Sequence, residues 1–168
     1  ELSAPVKGLP EIKAEGQGGL LDIALDADFI NNKILFFSYS AGNLLGIGTE
    51  VSSAKLVNDE LKELKLLFKA LPKSRGGRHF GSRLLLTNDN SLYITLGDRG
   101  EMKRAQNIND HAGSLIRINK DGEIPKDNPF TKRSDAKAEI YTYGNRNIQG
   151  IALNPVTYDI WTVEHGPQ

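Results

Sequence analysis

A histidine and an aspartate in this sequence have the residue types and the spacing of a general base and its orienting carboxylate. His79 lies in the glycine-rich segment 76–84, immediately before an apolar run, and Asp98 follows the next apolar run. In an antiparallel hairpin, the beginning of one strand and the end of the next lie at the same edge of the sheet. We therefore expect His79 and Asp98 to lie within hydrogen-bonding distance, where a carboxylate can fix the tautomer of an imidazole base. A lone loop histidine is more often a solvated surface residue, and the matched position of Asp98 is what favours the catalytic interpretation.

Other polar residues occupy the same positions relative to apolar runs elsewhere in the chain. Gln17 precedes an earlier run, residues 145–147 precede a later one, and Glu164 ends that later hairpin. Loops at one end of a β-domain are where binding and catalytic sites are commonly built. Each residue alone is equally compatible with a solvated turn. All of them, however, occupy equivalent positions at the ends of the apolar runs, which favours a shared site. The set expected at this end is Gln17, His79, Asp98, Arg146, Asn147 and Glu164.

The remaining histidines carry weaker signals. His111 is expected to be a loop residue that caps a turn, and His165 is equally compatible with a solvated position. The histidine spacings typical of zinc sites are absent, as are the G-x-S-x-G, P-loop and Rossmann motifs. The sequence therefore gives no support to those classes of enzyme.

The elements that must position these residues repeat along the chain. An apolar run, a polar turn and a second apolar run recur at Leu20–Tyr39, Leu84–Leu96 and Ile151–Val163, which predicts three β-hairpins. The spacing of apolar residues within 59–70 also fits a short helix, a minority alternative to a strand. Further strands are predicted at 51–56, 64–68, 114–118 and 139–143.

About four strands per repeat, at a long regular period, is typical of the blades of an all-β propeller. A propeller closes with about four to eight blades, whereas these repeats account for about two and a half four-stranded blades. We therefore expect residues 1–168 to be a single incomplete domain. Either a missing propeller half or another chain would have to close the ring, because an open sheet edge exposes unpaired backbone groups that promote aggregation.

Composition excludes several other classes of protein. Lys and Arg together number 21, as do Asp and Glu, and no basic stripe suggests a nucleic-acid partner. No apolar stretch approaches the roughly 20 residues needed to span a bilayer. The absence of cysteine excludes disulfides, thiol nucleophiles and thiolate metal ligands in this sequence.

Six segments, in order and spacing, resemble the soluble glucose/sorbosone dehydrogenases that use pyrroloquinoline quinone (PQQ) and calcium, and most closely the bacterial aldose sugar dehydrogenases. The segments are 17–21, 79–84, 97–100, 121–129, 143–150 and 164–167. The resemblance covers nearly the whole chain. It implies a six-bladed β-propeller, of which this chain covers roughly half.

The resemblance also implies a role for individual residues. His79 matches the base that takes the proton from the sugar C1 hydroxyl as hydride passes to PQQ, and Asp98 matches the carboxylate that orients it. Three further residues, Gln17, Arg146 and Asn147, match residues that line the PQQ and sugar pocket. Gly166 and Pro167 match positions whose backbone carbonyls bind Ca²⁺, a cation that prefers oxygen ligands.

The activity implied is oxidation of an aldose to a lactone, with an external electron acceptor, in a periplasmic or secreted protein. The basic residues that hold the PQQ carboxylates in the family have no counterpart in this sequence. We therefore expect the 168-residue chain alone to be inactive.

Two departures from the family pattern leave other functions open. Asn145 and Ile148 replace the usual His and Pro, while Arg146 and Asn147 are retained. The alternatives are a non-enzymatic propeller that binds a ligand and a calcium-dependent propeller lactonase. A lactonase would require a ring of Asp, Asn and Glu side chains around the metal, and the Gly166-Pro167 turn argues against it.

Overall fold

The computed structural model describes residues 4–166, and their regular structure is almost entirely β. The first sheet, here called the first blade, contains four antiparallel strands in sequential order. They are β1 (Leu20–Leu25), β2 (Ile34–Asn43), β3 (Gly46–Val57) and β4 (Glu60–Lys69).

The second blade repeats this order, and a third sheet contains two strands. The second blade consists of β5 (Leu84–Leu86), β6 (Ser91–Thr95), β7 (Leu115–Asn119) and β8 (Ile140–Thr142). The third hairpin consists of β9 (Ile148–Leu153) and β10 (Ile160–Glu164). The described residues therefore form two four-stranded blades and one hairpin, which confirms the predicted all-β fold and its extent of about half a propeller.

The alternation of side chains along β2 shows how a blade is packed on both faces. Leu35, Phe37 and Tyr39 point to one face, where they join an apolar cluster with Leu61. Phe36, between them in sequence, points to the other face and packs against the second blade. Successive strand residues face opposite sides of a sheet, so a run of apolar residues is buried on both sides.

The main core lies between the two blades, whose innermost strands β1 and β5 contact each other, as β5 and β9 do further along. Burying a large apolar side chain contributes about 1.5–3 kcal/mol, so this shared core holds the two blades together. Its fully buried members include Val51 of the first blade and Leu92, Ile94, Ile116 and Ile140 of the second.

The structure corrects one alternative and extends several predicted strands. Residues 60–69 form β4, so the helical alternative for 59–70 is wrong, because the edge of β3 is available for backbone pairing there. β3 begins at Gly46 rather than at residue 51, since residues 46–50 pair with the end of β2.

Two short helices were not predicted from the sequence. They span Phe29–Asn32 and, as a 3-10 helix, Met102–Gln106. Neither they nor any other helix within residues 4–166 has the length and apolar character required to cross a membrane.

Candidate active site

The predicted contact between His79 and Asp98 is present at the open end of the β5–β6 hairpin. The Nδ1 atom of His79 lies 2.6 Å from Oδ1 of Asp98. The same carboxylate oxygen accepts a hydrogen bond of 2.7 Å from the backbone N–H of Gly100. Asp98 is buried, and the His79 side chain retains 13% exposure. The carboxylate is therefore fixed, while the imidazole still reaches the surface.

The backbone of His79 is held in an unusual conformation by the segment that precedes β1. His79 has φ = 54°, in the left-handed region that non-glycine residues rarely adopt. Its N–H donates to Oε1 of Gln17 at 2.8 Å, and the N–H of Gln17 donates to the carbonyl of Gly77 at 2.6 Å. Gln17 therefore supports the loop that carries His79.

The third hairpin docks onto the same end of the second blade. The N–H of Asp98 donates to the carbonyl of Arg146 at 2.8 Å, and Gly97 forms an isolated bridge with Asn147. Oδ1 of Asn147 accepts a hydrogen bond of 3.1 Å from the N–H of Gly81. The segments that precede β1 and β9 thus fix the backbone on either side of His79 and Asp98.

A cleft of about 380 Å³ opens beside His79 and Asp98, a volume within the range of small-molecule sites. Arg146 lines this cleft. Its Nη1 donates to the carbonyl of His165 at 3.0 Å, and its backbone N–H donates to the carboxylate of Glu164 at 2.6 Å. The other lining residues are Arg78, Gly100, Met102, Ala105, Gln106, Gly144 and Asn145.

The structure separates the predicted site residues into two groups. His79, Asp98, Arg146 and Glu164 line the cleft together. Gln17 and Asn147 instead line a neighbouring depression of about 250 Å³, and they accept hydrogen bonds from the backbone N–H groups of His79 and Gly81.

Of the two residues that match a calcium site, the structure describes only Gly166. Gly166 is exposed beyond the end of β10, and Pro167 lies outside the described residues. Within residues 4–166, no three His, Asp or Glu side chains are grouped closely enough to hold a metal ion. Since Ca²⁺ takes six to eight oxygen ligands, most ligands of a calcium ion near Gly166 would have to come from elsewhere.

His111 has a structural role that is larger than the predicted turn cap. Its Nδ1 accepts a hydrogen bond of 2.8 Å from the N–H of Leu71, and its Nε2 lies 2.8 Å from Oε1 of Glu139. Burial lowers the pKa of His111. The buried imidazole thus connects the segment after β4 to the beginning of β8.

Sequence reasoning missed several residues of the cleft. Arg78 directly precedes His79, and this adjacency was the available signal. Met102, Ala105 and Gln106 lie on the 3-10 helix, whose position over the cleft no local pattern indicates.

Comparison with known proteins places the chain in a family. The glucose/sorbosone dehydrogenase family model matches residues 1–168. The chain is 42% identical to the aldose sugar dehydrogenase YliI of Escherichia coli, over 99% of this chain and 46% of that protein. It is 32% identical to quinoprotein glucose dehydrogenase B of Acinetobacter calcoaceticus, over 88% of this chain and 36% of that protein.

The fold agrees with this relationship. The crystal structure of the soluble aldose sugar dehydrogenase of Escherichia coli, in the apo-form, superposes with a TM-score of 0.93 and 42% identity, covering 98% of this chain and 48% of that one. The chain belongs to the glucose/sorbosone dehydrogenase family. It spans less than half the length of each of these relatives.

Proposed function

We propose that the propeller to which this chain contributes about half oxidises the C1 hydroxyl of aldose sugars to lactones, with PQQ and Ca²⁺ as cofactors. The observation that carries the proposal is the His79–Asp98 pair, which lies beside Arg146 in one cleft. The likeness to an aldose sugar dehydrogenase and to a quinoprotein glucose dehydrogenase supports the substrate class and the quinone.

In this proposal His79 is the general base. Asp98 is acceptor-only when ionised, so the contact at Nδ1 selects the tautomer that carries its proton there. Nε2 is then a free acceptor, and no hydrogen bond among the described side chains occupies it. His79 would take the C1 hydroxyl proton at Nε2 while the C1–H bond breaks and the C1 carbonyl forms. Asp98 would stabilise the resulting imidazolium.

The cleft has the volume of a small-molecule site, and two arginines, Arg78 and Arg146, line it together with the carboxylates of Asp98 and Glu164. PQQ, when bound, supplies the acceptor for the hydride that leaves C1. Arg146, with Arg78 across the same cleft, would provide cationic hydrogen-bond donors to its oxygens. Gln17 and Asn147 would act by holding the backbone of residues 79 and 81. The carbonyls of Gly166 and Pro167 are proposed as part of the Ca²⁺ site, on the family resemblance alone.

We further propose a periplasmic or secreted location, an external electron acceptor, and inactivity of the 168-residue chain on its own. Burying the three carboxylates of PQQ without cationic partners is costly, and the cleft of this half offers only two guanidinium groups. The open side of the third hairpin is apolar, since Trp161 and Val163 of β10 are 63% and 70% exposed. The remaining blades would cover this side.

The test uses the complete protein, loaded with PQQ and Ca²⁺ and assayed on a panel of aldoses by reduction of an artificial dye. We expect PQQ-dependent turnover, and we expect His79→Gln to lower kcat by about 10²–10⁴-fold, the usual contribution of a general base. His165→Gln is the matched control, since that exposed side chain lies outside the cleft. Wild-type turnover in His79→Gln would exclude His79 as the base. Absence of turnover with retained sugar binding would favour the ligand-binding propeller.

A further inference from the structure

Arg99 is a buried guanidinium that contacts the loop of His79 at three points. Its Nη1 donates to the carbonyl of Arg78 at 2.6 Å, and its Nη2 donates to the carbonyl of Gly76 at 2.5 Å. Its Cζ lies 3.4 Å from the centroid of the Phe80 ring. The guanidinium therefore binds the residues on both sides of His79.

The buried environment of Arg99 disfavours a positive charge. The residue is 8% exposed, its Nε has no hydrogen-bond partner, and no carboxylate within residues 4–166 lies at ion-pair distance from it. Burial lowers the pKa of Arg99 to about 10, so the group remains charged at neutral pH. Burying a charge without an ion-pair partner opposes folding, and only the two carbonyls and the face of the Phe80 ring offset that cost. The retained charge points to a role of the two carbonyl contacts beyond stability.

The hydrogen bonds of Arg99 stabilise a stretch of backbone that has an unfavourable conformation. His79, Ser82 and Arg99 all have positive φ, at 54°, 82° and 60°. Such conformations are unfavourable for residues other than glycine and persist only where the surroundings fix them. Asp98 fixes the imidazole ring of His79, and the next residue in the chain binds the backbone that carries this ring.

We propose that Arg99 is a positioning residue for His79: its planar fork holds the carbonyls of Gly76 and Arg78 and its face holds Phe80, so that the imidazole meets Asp98 and presents Nε2 to the cleft. This inference rests on the proposed role of His79 as the base. A lysine cannot replace the fork, because a single ammonium does not present parallel donors to two carbonyls and stack on a ring at once.

The first test reads the state of His79 without any cofactor. In the side-chain ¹H–¹⁵N spectrum of the complete, ¹⁵N-histidine-labelled protein, the signals of His79 are assigned by their loss in the His79→Gln variant. We expect a single Nδ1-protonated tautomer for His79 in the wild type and a mixture of tautomers in Arg99→Met and Arg99→Lys. Arg117→Met is the control, since Arg117 is a partly buried arginine of β7 that contacts Ser91 and Asp127 instead. It should destabilise the protein and leave the His79 signals unchanged.

The second test measures turnover in the same variants. A displacement near 1 Å at a catalytic group costs about 100-fold in rate, so we expect kcat to fall about 100-fold in Arg99→Met and to recover only in part in Arg99→Lys. If Arg99→Met does not fold, the His79 signals and kcat of Arg99→Lys provide the test. Wild-type His79 signals in Arg99→Lys would overturn the proposal, whether or not kcat falls. A wild-type protein without sugar turnover would refute the proposed function and leave the spectroscopic test of Arg99 intact.

Discussion

The imidazole of His79 and the carboxylate of Asp98 lie 2.6 Å apart at the open end of the β5–β6 hairpin, 19 positions apart in the chain. The N–H of Asp98 donates to the carbonyl of Arg146, in the segment that precedes the third hairpin. The orientation of the proposed base is therefore determined by the second blade and the third hairpin together. A change at the contact between Asp98 and Arg146 should lower kcat more than it lowers the stability of the second blade or of the third hairpin.

Removing the charge of Asp98 should impair catalysis without removing the residue. In the complete, PQQ-loaded protein we expect Asp98→Asn to lower kcat by about 10²–10⁴-fold with little change in the KM for the sugar. The neutral amide cannot stabilise an imidazolium, and its NH₂ group can select the wrong histidine tautomer. Steady-state kinetics would measure both constants. Asp127→Asn, at an exposed carboxylate that pairs with Arg117, is the control; equal kcat in both variants would contradict the assignment.

Removing the guanidinium of Arg146 should weaken cofactor binding. We expect Arg146→Met to raise the Kd for PQQ about 10–100-fold, the loss typical of a hydrogen bond to a charged group. Titration of the cofactor-free protein, followed by the absorbance of PQQ, would measure it. Arg133→Met removes an exposed arginine that pairs with Asp135, so it should leave the Kd unchanged. An unchanged Kd in Arg146→Met would exclude this arginine from the cofactor site.

The backbone of Gly97 lies so close to His79 and Asn147 that this position should not accommodate a side chain. A Cβ there would lie 2.3 Å from the carbonyl oxygen of His79 and 2.6 Å from Oδ1 of Asn147, so the backbone of the site would have to move. We expect Gly97→Ala to lower the free energy of unfolding by about 1–3 kcal/mol and to reduce kcat. Denaturant unfolding and kinetics would measure the two effects. Gly150→Ala, where the nearest atom is Val163 Cβ at 3.6 Å, should be close to neutral.

The buried His111 should make stability depend on pH. Its Nδ1 accepts from the N–H of Leu71, so protonation would break that bond, and burial lowers its pKa from the usual 6.5. The unfolded chain takes up this proton below pH 6.5 before the folded chain does, so stability is lost as pH falls through that range. Burial acts to raise the pKa of Glu139, but the hydrogen bond to His111 and a backbone hydrogen bond outweigh it, so the net pKa is lowered. The stability that this carboxylate contributes is therefore lost as pH falls below 4.5.

The contribution of His111 can be isolated with a side chain that does not titrate. In His111→Asn, the amide oxygen can replace Nδ1 as acceptor for Leu71. We expect the free energy of unfolding of this variant to fall less than that of the wild type between about pH 7 and pH 5, measured by urea denaturation at each pH. His165→Asn, at an exposed histidine, should follow the wild-type curve. Parallel curves for wild type and His111→Asn would exclude His111 as the source.

Local patterns in the sequence are sufficient to predict the blades and the central pair of the site. Apolar runs separated by polar turns predict hairpins, because strand pairing and turn chemistry depend on neighbouring residues. The hairpin also brings His79 to Asp98, since the start of one strand and the end of the next share an edge. The family resemblance added the substrate class and cofactors that now stand as the proposed function.

The roles of the other polar residues depend on tertiary contacts and could not be read from local patterns. It places Arg146 in the cleft with His79, and it gives Gln17 and Asn147 backbone contacts beside it. It also buries Arg99 against the His79 loop, where sequence reasoning assigned it no role. The physical reason is that the burial of a polar side chain depends on groups that are distant in the chain. Gln17 and His79 lie 62 positions apart, and Gly81 and Asn147 lie 66 apart, and no local periodicity encodes such contacts.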